Sequence, residues 1–113
     1  VGDKNQISRV FNNLIKNGIQ AVKDGVNPKI SLGLMQDGNH WIASVKDNGS
    51  GISEDLRDKI FVPNFTTKSS GMGLGLAMVK NIVESVNGNI SFTSEVGHGT
   101  TFYVWLPRME NSV

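Results

Sequence analysis

The chain has no cysteine. That excludes a disulfide framework, a thiolate zinc site and a thiol nucleophile, and it suits a reducing compartment. It has little net charge: eleven basic against ten acidic residues leave +1. No basic field marks it for nucleic acid or an acidic membrane. It has only three prolines and no apolar run near the ~18 residues a membrane helix needs, and no signal peptide is recognisable. Several well-known phosphate motifs are missing as well. In "GMGLGLAM" Leu76 and Met78 stand where G-x-G-x-x-G needs its third glycine. No "GK[ST]" follows, which rules out a P-loop, and the "VAIK", "HRD" and "DFG" set of protein kinases is absent. His40 and His98 lack metal-ligand spacing, and no Ser/His/Asp arrangement is recognisable.

What is present suits one soluble domain of 113 residues, with 38% apolar and 19% charged residues. Such a length can bury a core without covalent staples. Glycine is abundant, with thirteen residues clustered in the middle and near the end, so particular loops need it. The opening "VGDKNQ" reads as a cut inside a longer protein.

Periodicity orders the elements. Ile7, Val10, Phe11, Leu14, Ile15 and Val22 recur at helical spacing, which predicts a helix over 4–23 with Asp3 as N-cap. "DGVNP" is a turn. Ile30, Leu32 and Leu34 alternate, which predicts a strand over 29–35, a hairpin turn at 36–39 and a returning strand at 41–47. Ser53, Glu54 and Asp55 open a short helix over 53–61. An irregular loop spans 62–73. A helix follows over 74–87, burying Leu76, Val79, Ile82, Val83 and Val86 and stopped by "NG". Strands at 89–95 and 100–107 close the chain. Helices gathered on one face of a mixed, mostly antiparallel sheet predict a two-layer α/β sandwich with about three helices.

Four stretches carry chemistry. At ~100° per residue, Gln6, Asn13, Asn17 and Gln20 form one stripe beside the apolar arc of the first helix. They are either solvent-facing amides or, at Asn17, a neutral hard oxygen suited to Mg²⁺. Asp47 ends an apolar strand before Gly49 and Gly51. It either closes an Asx turn or acts as a fixed acceptor for adenine's exocyclic amine, repelling the carbonyl of guanine. Gly71, Gly73 and Gly75 feed a helix N-terminus, as a hinge or as a phosphate cradle, with Lys68 upstream. "GHGTTF" at 97–102 is a hairpin turn entering a β-branched strand.

Taken in order, "NNLIKNGIQA" (12–21), "DNGSGI" (47–52), "IFVPNFTTK" (60–68), "GMGLGL" (71–76) and "GHGTTF" (97–102) resemble the ATP-binding catalytic domain of bacterial sensor histidine kinases. That family shares a superfamily with gyrase-type topoisomerases, heat-shock chaperones and mismatch-repair ATPases. The resemblance spans roughly residues 2–107. It implies a Bergerat-type fold in which Asn17 ligates Mg²⁺ with Asn13 nearby. Asp47 reads adenine, with Gly49, Gly51, Ile52 and Thr100 around the base. Phe61 and Phe65 anchor a short lid of about residues 66–74. Thr67 and Lys68 approach the phosphates, and Gly71, Met72, Gly73, Leu74, Gly75 and Leu76 hinge the lid and open the helix. Gly18, Val62 and Asn64 depart from the family's usual alanine, acidic and aromatic residues.

The resemblance also implies what is withheld. The superfamily's ATPases place a water-activating glutamate four residues before the metal asparagine. Here that residue is Asn13, whose amide takes no proton at neutral pH. The γ-phosphate is then kept for a histidine on a separate dimerisation domain, which this chain does not carry, and a response regulator follows downstream. The alternatives are an ATPase of the same fold and a related serine-kinase or anti-sigma regulator. The expectation is a cytoplasmic, monomeric fragment of a protein that is itself free to be membrane-anchored, with no nucleic-acid partner.

Overall fold

The structure, a computed structural model, describes residues 4–22, 25–61 and 72–107. Helix α1 runs Lys4–Gln20. Its i, i+4 pair Val10 and Leu14 is fully buried, as an amphipathic stripe demands. The expected helix reached residue 23. The last turn is surrendered because the Ala21 carbonyl accepts from Ser50 instead, from its N–H at 2.9 Å and its Oγ at 3.2 Å.

Strands β1 (Ile30–Asp37) and β2 (His40–Asp47) form the expected hairpin, each longer than the periodicity indicated, around a turn whose Gly38 has φ +60°. Helix α2 is a single turn, Glu54–Arg57, with Ser53 in the N-cap position but without a side-chain capping hydrogen bond, rather than the nine residues expected. It ends because the chain turns to bury Ile60 and to seat Phe61 against the core.

Helix α3 spans Met72–Ser85. It begins two residues before the expected start, so Gly73 lies in its first turn with Gly75 rather than in the loop, and it ends two residues before the expected 87. Its end is set by Asn87 at φ +65°. The Gly88 N–H donates to the Val83 carbonyl at 2.9 Å and the Asn87 N–H to Glu84 at 3.0 Å, the paired bonds of a Schellman stop. Strands β3 (Asn89–Glu95) and β4 (Gly99–Pro107) complete a four-stranded sheet ordered β1-β2-β4-β3. Every pairing among the described strands is antiparallel.

Register assembles the core from cross-strand rows. Val45 opposes Phe102, which opposes Phe92; Ala43 opposes Val104, which opposes Ile90. Helices α1 and α3 cover this face with Val10, Leu14, Leu76, Val79 and Val83. The two layers are those predicted. The rows continue onto β1 as Leu32 and Leu34, which are 64% and 69% exposed. Among the described residues no helix is long and apolar enough to cross a membrane.

Candidate functional site

At one end of the sheet the apolar rows give way to a polar one. One step beyond the Lys46–Thr101 pair, Asp47 adjoins Thr100, which opposes Ser94 on β3. Asp47 and Thr100 are each only 6% exposed. Asp47 Oδ1 accepts the Gly49 N–H at 2.8 Å and the Thr100 N–H at 3.2 Å. Oδ2 accepts from none of the described groups. Burial pushes the carboxyl above its ordinary value, and the Gly49 and Thr100 hydrogen bonds offset this only in part. One oxygen is therefore fixed by backbone while the other keeps its accepting capacity in a desolvated place.

The loop after Asp47 is lashed on three sides. Asn48 accepts the Lys29 N–H at 2.8 Å and donates to the Asn27 carbonyl at 3.0 Å. Ser50 binds the end of α1, and its carbonyl takes the Gly97 N–H at 2.8 Å. The glycines here answer to this packing. A Cβ on Gly49 would sit 2.5 Å from Ala21 Cβ. Gly51 has φ +84°, and a Cβ there would lie against the Glu95 backbone. Both glycines are thus already required by the fold, whatever room they also leave for a ring. Ile52, expected beside the base, turns its side chain into the core.

The amide stripe of helix α1 is buried in graded fashion. Gln20 is exposed, Gln6 and Asn13 are half-buried, and Asn17 is 7% exposed. The Asn17 amide nitrogen is buried with no hydrogen-bond partner, an orphan group that a folded core normally avoids. Gly18 beside it explains one departure noted above. A Cβ there would lie 2.7 Å from Ile30 Cδ1 and 3.0 Å from Asp47 Cβ, so the bare glycine lets α1 close onto the Asp47 strand end.

The remaining expected residues divide. Phe61 packs edge-on to Phe92 and Phe102, with centroids 6.1 and 6.4 Å away, under the Lys80 ammonium at 5.7 Å. Leu76 is fully buried, so it holds α3 to the core rather than facing a ligand. Met72, Gly73, Leu74 and Gly75 form the start of α3. Val62, Asn64, Phe65, Thr67, Lys68 and Gly71 lie outside the described residues. Sequence reasoning passed over Ser94. Its Oγ accepts the Ile52 N–H at 2.7 Å and lies 2.8 Å from Thr100 Oγ1, while its carbonyl takes the Arg57 guanidinium.

No cluster of three or more His, Cys, Asp or Glu able to hold a metal occurs among the described residues. A protein-made metal cage is thus lacking there. A single amide oxygen, as Asn17 offers, fits Mg²⁺ that keeps waters and takes phosphate oxygens. A cavity of about 450 Å³ at this end of the sheet is lined by Asp47, Ser94 and Thr100 together with Lys46, Thr93 and Thr101, so it borders the same polar row.

Comparison with known proteins agrees with this geometry. Residues 2–110 match the family model described as histidine kinase-, DNA gyrase B- and HSP90-like ATPase. The chain is 46% identical over 105 residues to the sensor histidine kinase ZraS of Escherichia coli K12, covering 93% of the chain and 22% of that relative. It is 38% identical over 110 residues to sporulation kinase E of Bacillus subtilis, covering 97% and 15%. It thus spans about a fifth of the length of these curated relatives. Among solved structures, the nucleotide-free catalytic domain of histidine kinase ThkA superposes with a TM-score of 0.82 at 33% identity, covering 95% of this chain and 70% of that one.

Proposed function

The chain belongs to the family of histidine kinase-, DNA gyrase B- and HSP90-like ATPases, and from that premise we propose that it is the catalytic domain of a sensor histidine kinase. It binds ATP with Mg²⁺ and presents the γ-phosphate to a histidine on a separate dimerisation domain, from which a response regulator is then phosphorylated. The observation that carries this reading is Asp47: a buried carboxylate with one oxygen held by two backbone N–H groups and the other unpaired among the described groups, with the buried Asn17 next to Gly18, the residue of α1 that packs on the same strand end.

Each residue has a part. Asp47 Oδ2 takes the adenine amine and so fixes the base. Asn17 supplies an oxygen to Mg²⁺, which when bound neutralises phosphate charge. The N–H groups opening α3 at Met72, Gly73, Leu74 and Gly75 meet the phosphates, where helix ends favour anions. Lys68 and Thr67 act with them from the lid, which Phe61 and Phe65 anchor. Asn13, half-buried on α1, offers no base for a water. Phosphoryl transfer asks mainly for positioning and charge neutralisation, and this chain supplies the donor half of both.

The test is reconstitution. Labelled ATP·Mg is incubated with the chain alone, then with the dimerisation domain of its parent. The expected result is binding without self-labelling, then acid-labile label on the added domain. Steady phosphate release by the chain alone would favour an ATPase instead. Acid-stable label on a protein acceptor would favour a serine kinase.

A further inference from the structure

The two edges of the sheet differ. On β3 the row facing the helices is covered: Ile90 is buried and Phe92 packs against the core. On β1 the same rows end in Leu32 and Leu34, and both are exposed. Helix α1 meets β1 at the strand's first residue, where Gly18 lies against Ile30. Beyond Ile30 every residue of the strand is exposed. Met35, on the other face, is among them. Of the six large apolar side chains exposed among the described residues, three lie on this one strand, which is a concentration rather than scatter.

An edge strand also turns backbone N–H and C=O groups toward solvent, and proteins usually blunt it with charge, proline or a bulge. Residues 30–36, "ISLGLMQ", hold no charge and no proline, and β1 pairs with β2 residue for residue without a bulge. The charges stand at the two ends instead, Lys29 before the strand and Asp37 at its close. That arrangement is self-complementary. Antiparallel pairing of β1 with its own copy about Gly33 sets Lys29 opposite Asp37 at both ends, Leu32 opposite Leu34 on the helix side, and Ser31 opposite Met35 on the other. The nearest slips that keep the faces matched set Lys29 opposite Met35, or Ser31 opposite Asp37, and so lose the charge pairs.

We propose that β1 is an interaction surface for a second copy of this chain, which pairs with it antiparallel about Gly33 and joins the two four-stranded sheets into one. A two-fold contact uses the same patch on both copies, so one self-complementary strand suffices. Opposed apolar and opposite-charge pairs each add to it, and Leu32 and Leu34 of the two copies cover one another. Asp47 stands on β2, one strand in from the contact, so the pairing needs nothing from the nucleotide reading and leaves that site to itself. It replaces the monomer expected from the sequence.

Sedimentation equilibrium of the chain over a range of concentrations tests this. Wild type is expected to pass from 12.3 kDa to twice that mass. Leu34→Lys, at an exposed position, should keep the melting curve and weaken the dimer by about tenfold or more. Asp37→Lys sets like charge against Lys29 at both ends and should weaken it about tenfold. Lys29→Asp together with Asp37→Lys restores opposite charges and should recover it. Should Asp37→Lys unfold, Lys29→Asp alone makes a like-charge contact from the other side. Disulfide trapping reads the register, and the chain has no cysteine of its own to confuse it. Ser31→Cys mixed with Met35→Cys should link to one another in preference to themselves, since directly opposed Cα atoms stand about 4.5–5.5 Å apart, within disulfide reach. A wild type still monomeric at about 1 mM, a dimer indifferent to Leu34→Lys, or linking with no preference between the two cysteine variants overturns the proposal. An edge that refuses its own copy and takes up an added strand-forming peptide gives the surface to another partner, and overturns it too.

Discussion

Replacing Asp47 with asparagine is the sharpest probe of the site, because the geometry dictates how the amide must sit. Asp47 Oδ1 accepts two backbone N–H groups, at 2.8 and 3.2 Å. An amide nitrogen there would set donor against donor. The carbonyl of Asn must therefore take that place, and its NH₂ must take the place of Oδ2, facing the adenine amine. One hydrogen bond to a charged acceptor is lost, worth about 1.5–3 kcal/mol. At about 1.36 kcal/mol per decade, ATP should bind roughly 10–150-fold more weakly. Inosine triphosphate, whose carbonyl now meets a donor, should bind no worse and should gain.

Stability should move the other way or hardly at all. The native carboxylate is held against desolvation, with its pKa raised from 3.8. Between that ordinary value and the raised one, the folded chain binds more protons than the unfolded chain. Wild-type stability therefore falls as pH rises through that window, and Asp47→Asn should lack this slope. At neutral pH its melting temperature should change by less than about 5 °C, on the order of 1 kcal/mol for a domain this size. Calorimetric titration with both nucleotides and thermal melts between pH 4 and 7 check this. Unchanged ATP affinity, or a collapse of the melting temperature with no pH dependence of its own, would refute the reasoning.

Two further outcomes follow from the same site. Leu76→Ala should destabilise by about 2–5 kcal/mol through an unfilled cavity, since Leu76 is fully buried, yet leave ATP affinity within about threefold below the melt. Weaker binding with an unchanged melting curve would place Leu76 against the ligand instead. Asn13→Glu restores a carboxylate beside the Asn17 turn of α1, and such a general base contributes about 10²–10⁴-fold where it is positioned. Phosphate release by the chain alone should then rise above wild type, and no rise would refute the role proposed for Asn13.

Much of this architecture is legible in the residues themselves. The spacing of Val10, Leu14, Val79 and Val83 marks the faces that are buried, and the strands fall where apolar and polar residues alternate. Alternation does not say what covers a face. Leu32 and Leu34 obey the strand pattern and are nevertheless mostly exposed. Local propensity misplaced several helix ends, among them the start of α3 and the end of α2. Glycine is a poor helix former, so Gly73 did not read as helical, and α2 stops because Ile60 is drawn into the core. Asp47 could be found because a carboxylate at the end of an apolar strand is conspicuous. Ser94 could not. It sits among Thr93 and the other small polar residues of β3, and only register brings it opposite Thr100. Gly49 and Gly51 looked like room for a ring, whereas the Ala21 and Glu95 contacts that also require them come from distant parts of the chain.

The antiparallel register has an optical consequence. Trp41 opposes Leu106, and Trp105 opposes Ile42, so both indoles lie at the opposite end of the sheet from the polar row. At about 3.3 Å per residue, Trp41 stands roughly 20 Å along its strand from Asp47, and Trp105 about 17 Å from Thr100. Intrinsic emission from this chain will thus report the opening of the sheet as it unfolds and stay nearly silent when nucleotide arrives. Occupancy has to be read by heat or by a labelled nucleotide, and a flat fluorescence trace says nothing against binding.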